Sequence, residues 1–157
     1  MTQIALSSLY QQLILEHYRK PRNKGRLPAP TVVVHMNNPV CGDDIQLHLA
    51  VDAEQRVTAA TFLGHGCSIS QASVSMMTVR LKGKTLDEAM ALADRFTEMM
   101  HGSREAARDR ALGELRALQG VSKFPVRIKC ALLGFDALQE AAKRVRAASA
   151  ASESDGG

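Results

Sequence analysis

The spacing of apolar positions changes along the chain, and each change marks a different kind of element. Before Pro21, Leu6, Leu9 and Leu13 recur at helical intervals, which predicts an N-terminal helix that ends at the proline. From residue 31 onward the pattern changes to β-branched and alternating runs that are bounded by turn residues. These runs predict three strands, at residues 31–36, 45–51 and 56–63. Since the connections are short, we expect an antiparallel meander.

The second half of the chain has a helical pattern. Residues 68–82 are rich in Ser, Ala and Met, and Gly83 ends that predicted helix. Thr85 and Glu88 form a capping-box pattern that opens a helix to about residue 100. Residues 102–120 are charged and only weakly helical, and a last helix is predicted over 127–145. Methionines at helical positions in these segments are expected to pack in the core.

This order of elements predicts an α+β domain: an N-terminal helix, a three-stranded antiparallel sheet, then a cluster of helices packed on it. A chain of 157 residues is long enough for one domain with a substantial core. We expect that domain to span residues 1–145. The remaining residues, 146–157, are small and polar, which is typical of a disordered tail.

Charge and hydropathy exclude two classes of partner. The net charge is +4, the basic residues are scattered, and only six residues are Phe or Tyr, so we expect no nucleic-acid binding. No stretch approaches the roughly 18 apolar residues of a membrane span, and the first 20 residues lack a signal-peptide pattern. We therefore expect a cytoplasmic protein without membrane contacts. The basic run at 19–26 is either a solvated loop or a docking patch for an acidic partner.

The three cysteines all lie at the ends of predicted elements. Cys41 is in the turn between the first two strands, Cys67 is where the third strand gives way to a helix, and Cys130 is near the start of the last helix. An odd number of thiols in a reducing compartment does not predict a disulfide framework. Helix N-termini favour thiolate over thiol, so at least two of the three, Cys67 and Cys130, lie where a metal ligand or a nucleophile is favoured.

A fourth ligand is available beside Cys41. In Cys41-Gly42-Asp43 the glycine allows a tight bend, and both flanking side chains point to the same side of the chain. Three thiolates and a carboxylate would suit tetrahedral zinc, and thiolates would also suit an iron–sulfur cluster. Arg127 and Lys129 lie close enough in sequence to Cys130 to offset the negative charge of such a site. Spacing alone leaves open ordinary buried cysteines, or His65 as a ligand.

Three blocks of sequence resemble a known superfamily. NNPVCGDDI, GHGCSISQASVSMM and LQGVSKFPVRIKCALLGFDAL, each with its cysteine, resemble the IscU/NifU-like iron–sulfur cluster assembly scaffolds, and the likeness extends from about Leu6 to Ala142. The resemblance implies the SufE/IscU-like fold. The IscU branch carries a histidine before its third cysteine, where this chain has Lys129. That substitution, an eroded chaperone-binding segment at 123–127 and the extra residues 102–120 resemble the SufU branch instead.

The SufU resemblance implies a site and a partner. Carried over by motif, the zinc ligands would be Cys41, Asp43, Cys67 and Cys130, with Arg127 as a charged neighbour. The partner would be a pyridoxal-phosphate-dependent cysteine desulfurase of the SufS type, and Cys41 would accept its persulfide sulfur. The sulfur would then pass to downstream iron–sulfur assembly proteins. This favours an enzyme, a zinc-dependent sulfurtransferase.

Two other hypotheses share these ligands. The first is a scaffold on which a [2Fe–2S] cluster, or its iron, is assembled and then transferred. The second is a structural zinc module with no sulfur transfer. Because all three use the same residues, metal and sulfide content together with desulfurase stimulation would separate them.

Overall fold

The computed structural model describes the backbone of residues 2–156 and the side chains of residues 8–150. A helix, α1 (Thr2–Arg19), is followed by strands β1 (Val32–Asn38), β2 (Asp43–Val51) and β3 (Val57–His65). Next come helices α2 (Ser68–Leu81), α3 (Leu86–Met100) and the short α4 (Arg104–Ala107). A 3₁₀ segment (Arg110–Lys123) leads into the last helix, α5 (Pro125–Gly156). This order confirms the predicted α+β architecture.

The sheet is the predicted meander. Its order is β1-β2-β3, and both pairs are antiparallel. Alternation along β2 sends Ile45, Leu47 and Leu49 into the core, fully buried, while Asp44 and Gln46 face the other side. Because the side-chain period is two residues, this pattern determines which face of the sheet the helices cover.

The helices pack against the apolar face of the sheet. Helix α5 lies on β1 and β2, α2 lies against β3, and α1 packs on α2. Phe96 of α3 stacks on Phe135 of α5 with ring centroids 4.4 Å apart. The core includes the methionines Met76, Met77, Met99 and Met100, as their spacing predicted. The capping box also forms, since Thr85 Oγ1 accepts from Glu88 N and Thr85 N donates to Glu88 Oε1.

The stretch after α3 is more structured than its sequence suggested. It forms α4 and the 3₁₀ segment, which is interrupted at Gly113 where φ is 55°. Leu112, Leu115 and Leu118 are fully buried, so the segment contributes to the core. Glu114 also contacts His17 of α1, whose Nδ1 is 2.8 Å from Ser75 Oγ on α2. The segment therefore packs against both α1 and α2.

Helix α5 extends beyond the predicted end at residue 145. The helix is described to Gly156, and Arg146 Nη2 donates to Asp87 Oδ1 of α3 at 2.5 Å. Residues 146–155 contain no Gly or Pro and include several alanines, so their helix propensity is high. The domain boundary near 145 stays a prediction, and residues 151–157 lie outside the part of the chain whose side chains are described. Among the described residues, no helix is long and apolar enough to cross a membrane.

The burial of the 3₁₀ segment leads to a stability prediction. Leu115→Ala should lower the free energy of unfolding by about 2–5 kcal/mol, because it removes a fully buried leucine and leaves a cavity. Urea unfolding monitored by circular dichroism would measure this loss. Leu9→Ala is the matched control, since Leu9 is 60% exposed on α1. Equal, small effects of the two changes would show that the segment is not part of the core.

Candidate metal centre

Four chain segments meet at one end of the sheet. The β1–β2 register pairs Asn38 with Asp43, and the β2–β3 register pairs Asp44 with His65. Cys41 lies in the turn between β1 and β2, and the end of β3 leads to Cys67. Both features therefore lie at the same end of the sheet. Helix α2 begins there, and the start of α5 brings Cys130 to the same place.

The β1–β2 turn presents Cys41 and Asp43 together. Cys41 N donates to Asn38 O at 3.2 Å, which closes the turn. Gly42 has a φ of 70°, a left-handed conformation that strongly favours glycine. Cys41 is half-buried, whereas Asp43 is only 1% exposed. The turn thus leaves one ligand partly accessible and buries the other.

Cys67 is the N-cap residue of α2. Its backbone is extended, and its Sγ accepts from Ser70 N at 3.5 Å. The sulfur therefore lies at the positive end of the helix, as its sequence position predicted. The backbone N–H of Cys67 donates to Asp43 Oδ1 at 2.9 Å, which connects α2 to the start of β2.

Three of the four predicted ligands converge. Among the residues the structure describes, one ligand atom each from Cys41, Asp43 and Cys130 lies within 4.8 Å of the other two. Cys130 is fully buried in the second turn of α5. The Cys67 sulfur is a neighbour of Cys130 but is not a member of this mutually close set. It accepts from Ser70 N instead.

The electrostatics of the group favour a cation. Burial raises the pKa of the Cys130 thiol, and its contacts with Asp43 and Cys41 raise it further. Asp43 Oδ2 is buried and has no hydrogen-bond partner among the described residues. Arg127, exposed at the start of α5, has its pKa raised by the nearby Cys67 and Cys130 sulfurs. The Arg127 guanidinium thus lies beside the group, near Cys130, as its position in the sequence predicted.

These residues fit a zinc ion. Zinc accepts thiolate and carboxylate oxygen in one tetrahedral set, and a buried, unpaired carboxylate oxygen is costly without a cation beside it. The close set supplies two sulfurs and a carboxylate oxygen of Asp43, and Cys67 supplies a third sulfur near Cys130. The same thiols would also suit iron, so the donor set alone does not identify the metal.

The histidine alternative is not part of this group. His65 is 77% exposed, and its Nε2 is 3.7 Å from Asp44 Oδ2. Asp44 also contacts His35, on the face of the sheet opposite Ile45 and the core. Because neighbouring residues of a strand point to opposite faces, His65 lies with Asp44 and not with Asp43.

Sequence reasoning missed several residues around the group. Gly66 passes so close to Asp43 that an added Cβ would lie 2.4 Å from Oδ1, and Ser70 Oγ is 3.1 Å from the same oxygen. The only sequence signal for Ser70 is its place three residues after the N-cap, on the first turn of α2. Exposed apolar side chains also flank the site: Val40 at 84%, Phe124 at 61% and Val126 at 64%.

Comparison with known proteins shows the family. The NifU-like N terminal domain model matches residues 9–131. The chain is 50% identical over 135 residues to the zinc-dependent sulfurtransferase SufU of Bacillus subtilis, covering 86% of this chain and 90% of that protein. It is 45% identical over 139 residues to the iron–sulfur cluster assembly scaffold protein IscU of Streptococcus pyogenes, covering 88% of this chain and 86% of that protein.

A solved structure agrees with these sequence matches. It is a putative iron–sulfur cluster assembly scaffold protein for the SUF system from Fervidobacterium islandicum, with a TM-score of 0.77 and 30% identity. The likeness covers 83% of this chain and 94% of that one. The resemblance seen in the cysteine-bearing blocks is thereby confirmed: the chain belongs to the NifU-like N-terminal domain family, in the IscU/NifU-like scaffold superfamily.

Proposed function

We propose that this protein is a zinc-dependent sulfurtransferase that accepts persulfide sulfur from a pyridoxal-phosphate-dependent cysteine desulfurase. It passes the sulfur to iron–sulfur cluster assembly in the cytoplasm. The observation that carries the proposal is the convergence of Cys41, Asp43 and Cys130, whose ligand atoms lie within 4.8 Å of one another, together with an Asp43 oxygen that is buried and has no hydrogen-bond partner among the described residues. The 50% identity to a relative named for this activity supports it.

Four residues would hold the metal: Cys41, Asp43, Cys67 and Cys130. When bound, zinc supplies a positive charge that keeps the thiols deprotonated at neutral pH. Asp43 contributes the oxygen, and Arg127 balances part of the negative charge from outside the site. Cys41 is the best placed to react with a partner. Cys130 is fully buried in a helix, and Cys67, although half-buried like Cys41, has its sulfur engaged as the cap of α2.

The transfer is a thiol–disulfide type of exchange. The Cys41 thiolate attacks the outer sulfur of the persulfide on the desulfurase cysteine. The sulfur–sulfur bond of that persulfide breaks, a new one forms to Cys41, and the desulfurase cysteine leaves as a thiolate. No external oxidant or reductant is required, because the sulfane sulfur keeps its oxidation state.

The second candidate is a scaffold for a [2Fe–2S] cluster, and one observation favours it. The relative from Streptococcus pyogenes, 45% identical, is named as a scaffold protein. The same thiols would ligate the cluster iron. The two candidates differ in what the purified protein contains and in what it does to a desulfurase.

Metal and sulfide analysis of the purified protein distinguishes the sulfurtransferase from the cluster scaffold. We expect zinc at about one ion per chain with no acid-labile sulfide, as three thiolates and one carboxylate complete a tetrahedral site. We also expect a marked increase in the turnover of a SufS-type desulfurase. Iron with matching labile sulfide and weak stimulation would favour the scaffold. Zinc without any stimulation would favour a structural module.

The role of Cys41 can be tested by substitution. Cys41→Ala should abolish persulfide formation on this protein, because it removes the thiolate that attacks the desulfurase persulfide. Mass spectrometry after incubation with the desulfurase and free cysteine would measure the added sulfur. His65→Ala is the control, since His65 is 77% exposed beside Asp44 and is not part of the group, and it should take up sulfur as the unaltered protein does. Stoichiometric persulfide on the Cys41→Ala protein would contradict the assignment.

The desulfurase would dock on the surface that flanks the site. Val40 precedes Cys41, and Val126 lies one turn before Cys130, with its carbonyl oxygen 3.9 Å from the Cys130 sulfur. Exposed apolar side chains beside a reactive group are typical of a protein interface. Lys123, Arg127 and Lys129, all exposed, surround them and would match an acidic partner surface.

A charge in this surface should weaken docking without changing the chemistry. We expect Phe124→Asp to raise the concentration needed for half-maximal desulfurase stimulation by about 10-fold or more, the usual cost of losing an interface anchor. Turnover at saturation should stay near that of the unaltered protein. Val79→Asp is the control, since Val79 is 50% exposed but lies near the opposite end of α2, about 18 Å from Cys67 along the helix. Equal effects of both changes would exclude Phe124 from the interface.

A further inference from the structure

The two oxygens of the Asp43 carboxylate have different surroundings. Oδ1 accepts two hydrogen bonds, from Cys67 N at 2.9 Å and from Ser70 Oγ at 3.1 Å. Oδ2 is buried with no hydrogen-bond partner among the described residues. The carboxylate as a whole is 1% exposed, so water does not compensate for the difference. One oxygen is thus held by the protein, and the other is left with its lone pairs available.

The chain around Asp43 keeps its carboxylate in this orientation. Gly66 has a φ of 149°, and an added Cβ there would lie 2.4 Å from Oδ1 and 2.9 Å from Asp43 Cα. The backbone at Gly66 therefore passes directly along the carboxylate and blocks rotation toward that side. A side chain at position 66 would displace Asp43, which is why the third strand reaches Cys67 through a glycine.

The Ser70 hydroxyl is directed toward Asp43 by its own environment. Its oxygen lies 3.1 Å from both Asp43 Oδ1 and Cys67 O, and a carboxylate oxygen is a stronger acceptor for its single proton than a backbone carbonyl oxygen. Gln71 Nε2 donates to the same hydroxyl oxygen at 3.2 Å, which strengthens the hydroxyl as a donor. Ser70 is fully buried, so no solvent competes for this proton.

We propose that Ser70 is a positioning residue for the metal. Its hydroxyl, with the Cys67 N–H, holds Oδ1 and leaves Oδ2 available as a ligand oxygen, and this hold would set how long an ion is retained. The inference rests on the proposed function, in which a metal is held by Asp43 and the three cysteines. Hydrogen bonds to a ligand carboxylate orient it before the metal arrives, and their loss weakens retention even when every ligand is present.

This role is separate from capping α2. The cap of that helix is the Cys67 side chain, which accepts from the backbone N–H of residue 70 and not from its hydroxyl. Alanine at position 70 keeps that backbone N–H and has the highest helix propensity. The helix is therefore expected to form normally in a Ser70→Ala protein. That protein loses the hold on Asp43 together with the contacts of the hydroxyl to Cys67 O and Gln71 Nε2.

The test is the rate of zinc release from protein loaded with one equivalent of zinc, measured with excess chromogenic chelator. Ser70→Ala should release zinc on the order of 10-fold faster than the unaltered protein. Ser68→Ala is the matched control, since Ser68 lies in the same turn of α2 but its hydroxyl does not bond to Asp43. Its release rate should stay within about twofold of the unaltered protein, because the bonds to Asp43 are intact. Equal release rates for Ser70→Ala and the unaltered protein would overturn the proposal.

A double-mutant comparison separates positioning from a general structural effect. If Ser70 acts through Asp43, Ser70→Ala should cause no further acceleration in an Asp43→Ala background. A similar acceleration in both backgrounds would overturn the proposal. If Ser70→Ala does not fold, Gln71→Ala replaces it, because Gln71 donates to the Ser70 hydroxyl. Zinc release should then be accelerated by a smaller factor, and an unchanged rate of release would contradict the inference. Failure of the unaltered protein to bind zinc would instead overturn the proposed function.

Discussion

The antiparallel register of the three strands is the constraint on which the site depends. Pairing Asn38 with Asp43 puts the Cys41 turn at one end of the sheet, and pairing Asp44 with His65 brings the end of β3 to the same place. A slip of one residue would turn Asp43 to the face that now carries Asp44, away from the cysteines. The alternation of buried Ile45, Leu47 and Leu49 resists such a slip, because it would expose all three side chains. The hydrophobic core thus determines the position of a polar site at its edge.

The site concentrates groups that are unfavourable together without a cation. A buried carboxylate oxygen lacks a hydrogen-bond partner among the described residues, and the pKa of the Cys130 thiol is raised by burial and by its neighbours. Natural proteins tolerate such arrangements where a ligand or reaction uses them, and the rest of the fold supplies the stability. Here the helices supply it, through stacked Phe96 and Phe135 and the buried leucines of the 3₁₀ segment.

The proposed ligands are held to different degrees, which suits a sulfur acceptor. Asp43 is the first residue of β2 and is hydrogen-bonded to the backbone of Cys67 at the start of α2, and Cys130 is buried within a helix. Cys41 lies in a turn whose conformation depends on Gly42, and it is half-buried. An acceptor needs one thiol that a partner can reach and other ligands that stay in place. The exposed apolar residues beside Cys41 and Cys130 provide a surface on which such a partner would dock.

The sequence by itself determined the elements and the identity of the chemical groups. Strand alternation, the Thr85–Glu88 capping box and the cysteines at element ends are local patterns, and local patterns depend on backbone geometry that a few neighbouring residues specify. The cysteine-bearing blocks further indicated the family, since their residues and order are distinctive.

Some features depend on contacts between residues that are distant in the sequence, and only the tertiary structure decided these. The burial of Leu112, Leu115 and Leu118 requires the surfaces of other helices, which the weak periodicity of that segment does not reveal. The extension of α5 past residue 145 is accompanied by an ion pair from Arg146 to Asp87, 59 positions away. The different surroundings of the two Asp43 carboxylate oxygens likewise depend on Gly66, Cys67 and Ser70, which contact Oδ1. Those residues reach Asp43 only because the register of β2 and β3 brings the start of α2 beside it, and hydrogen bonds are made across space and not along the chain.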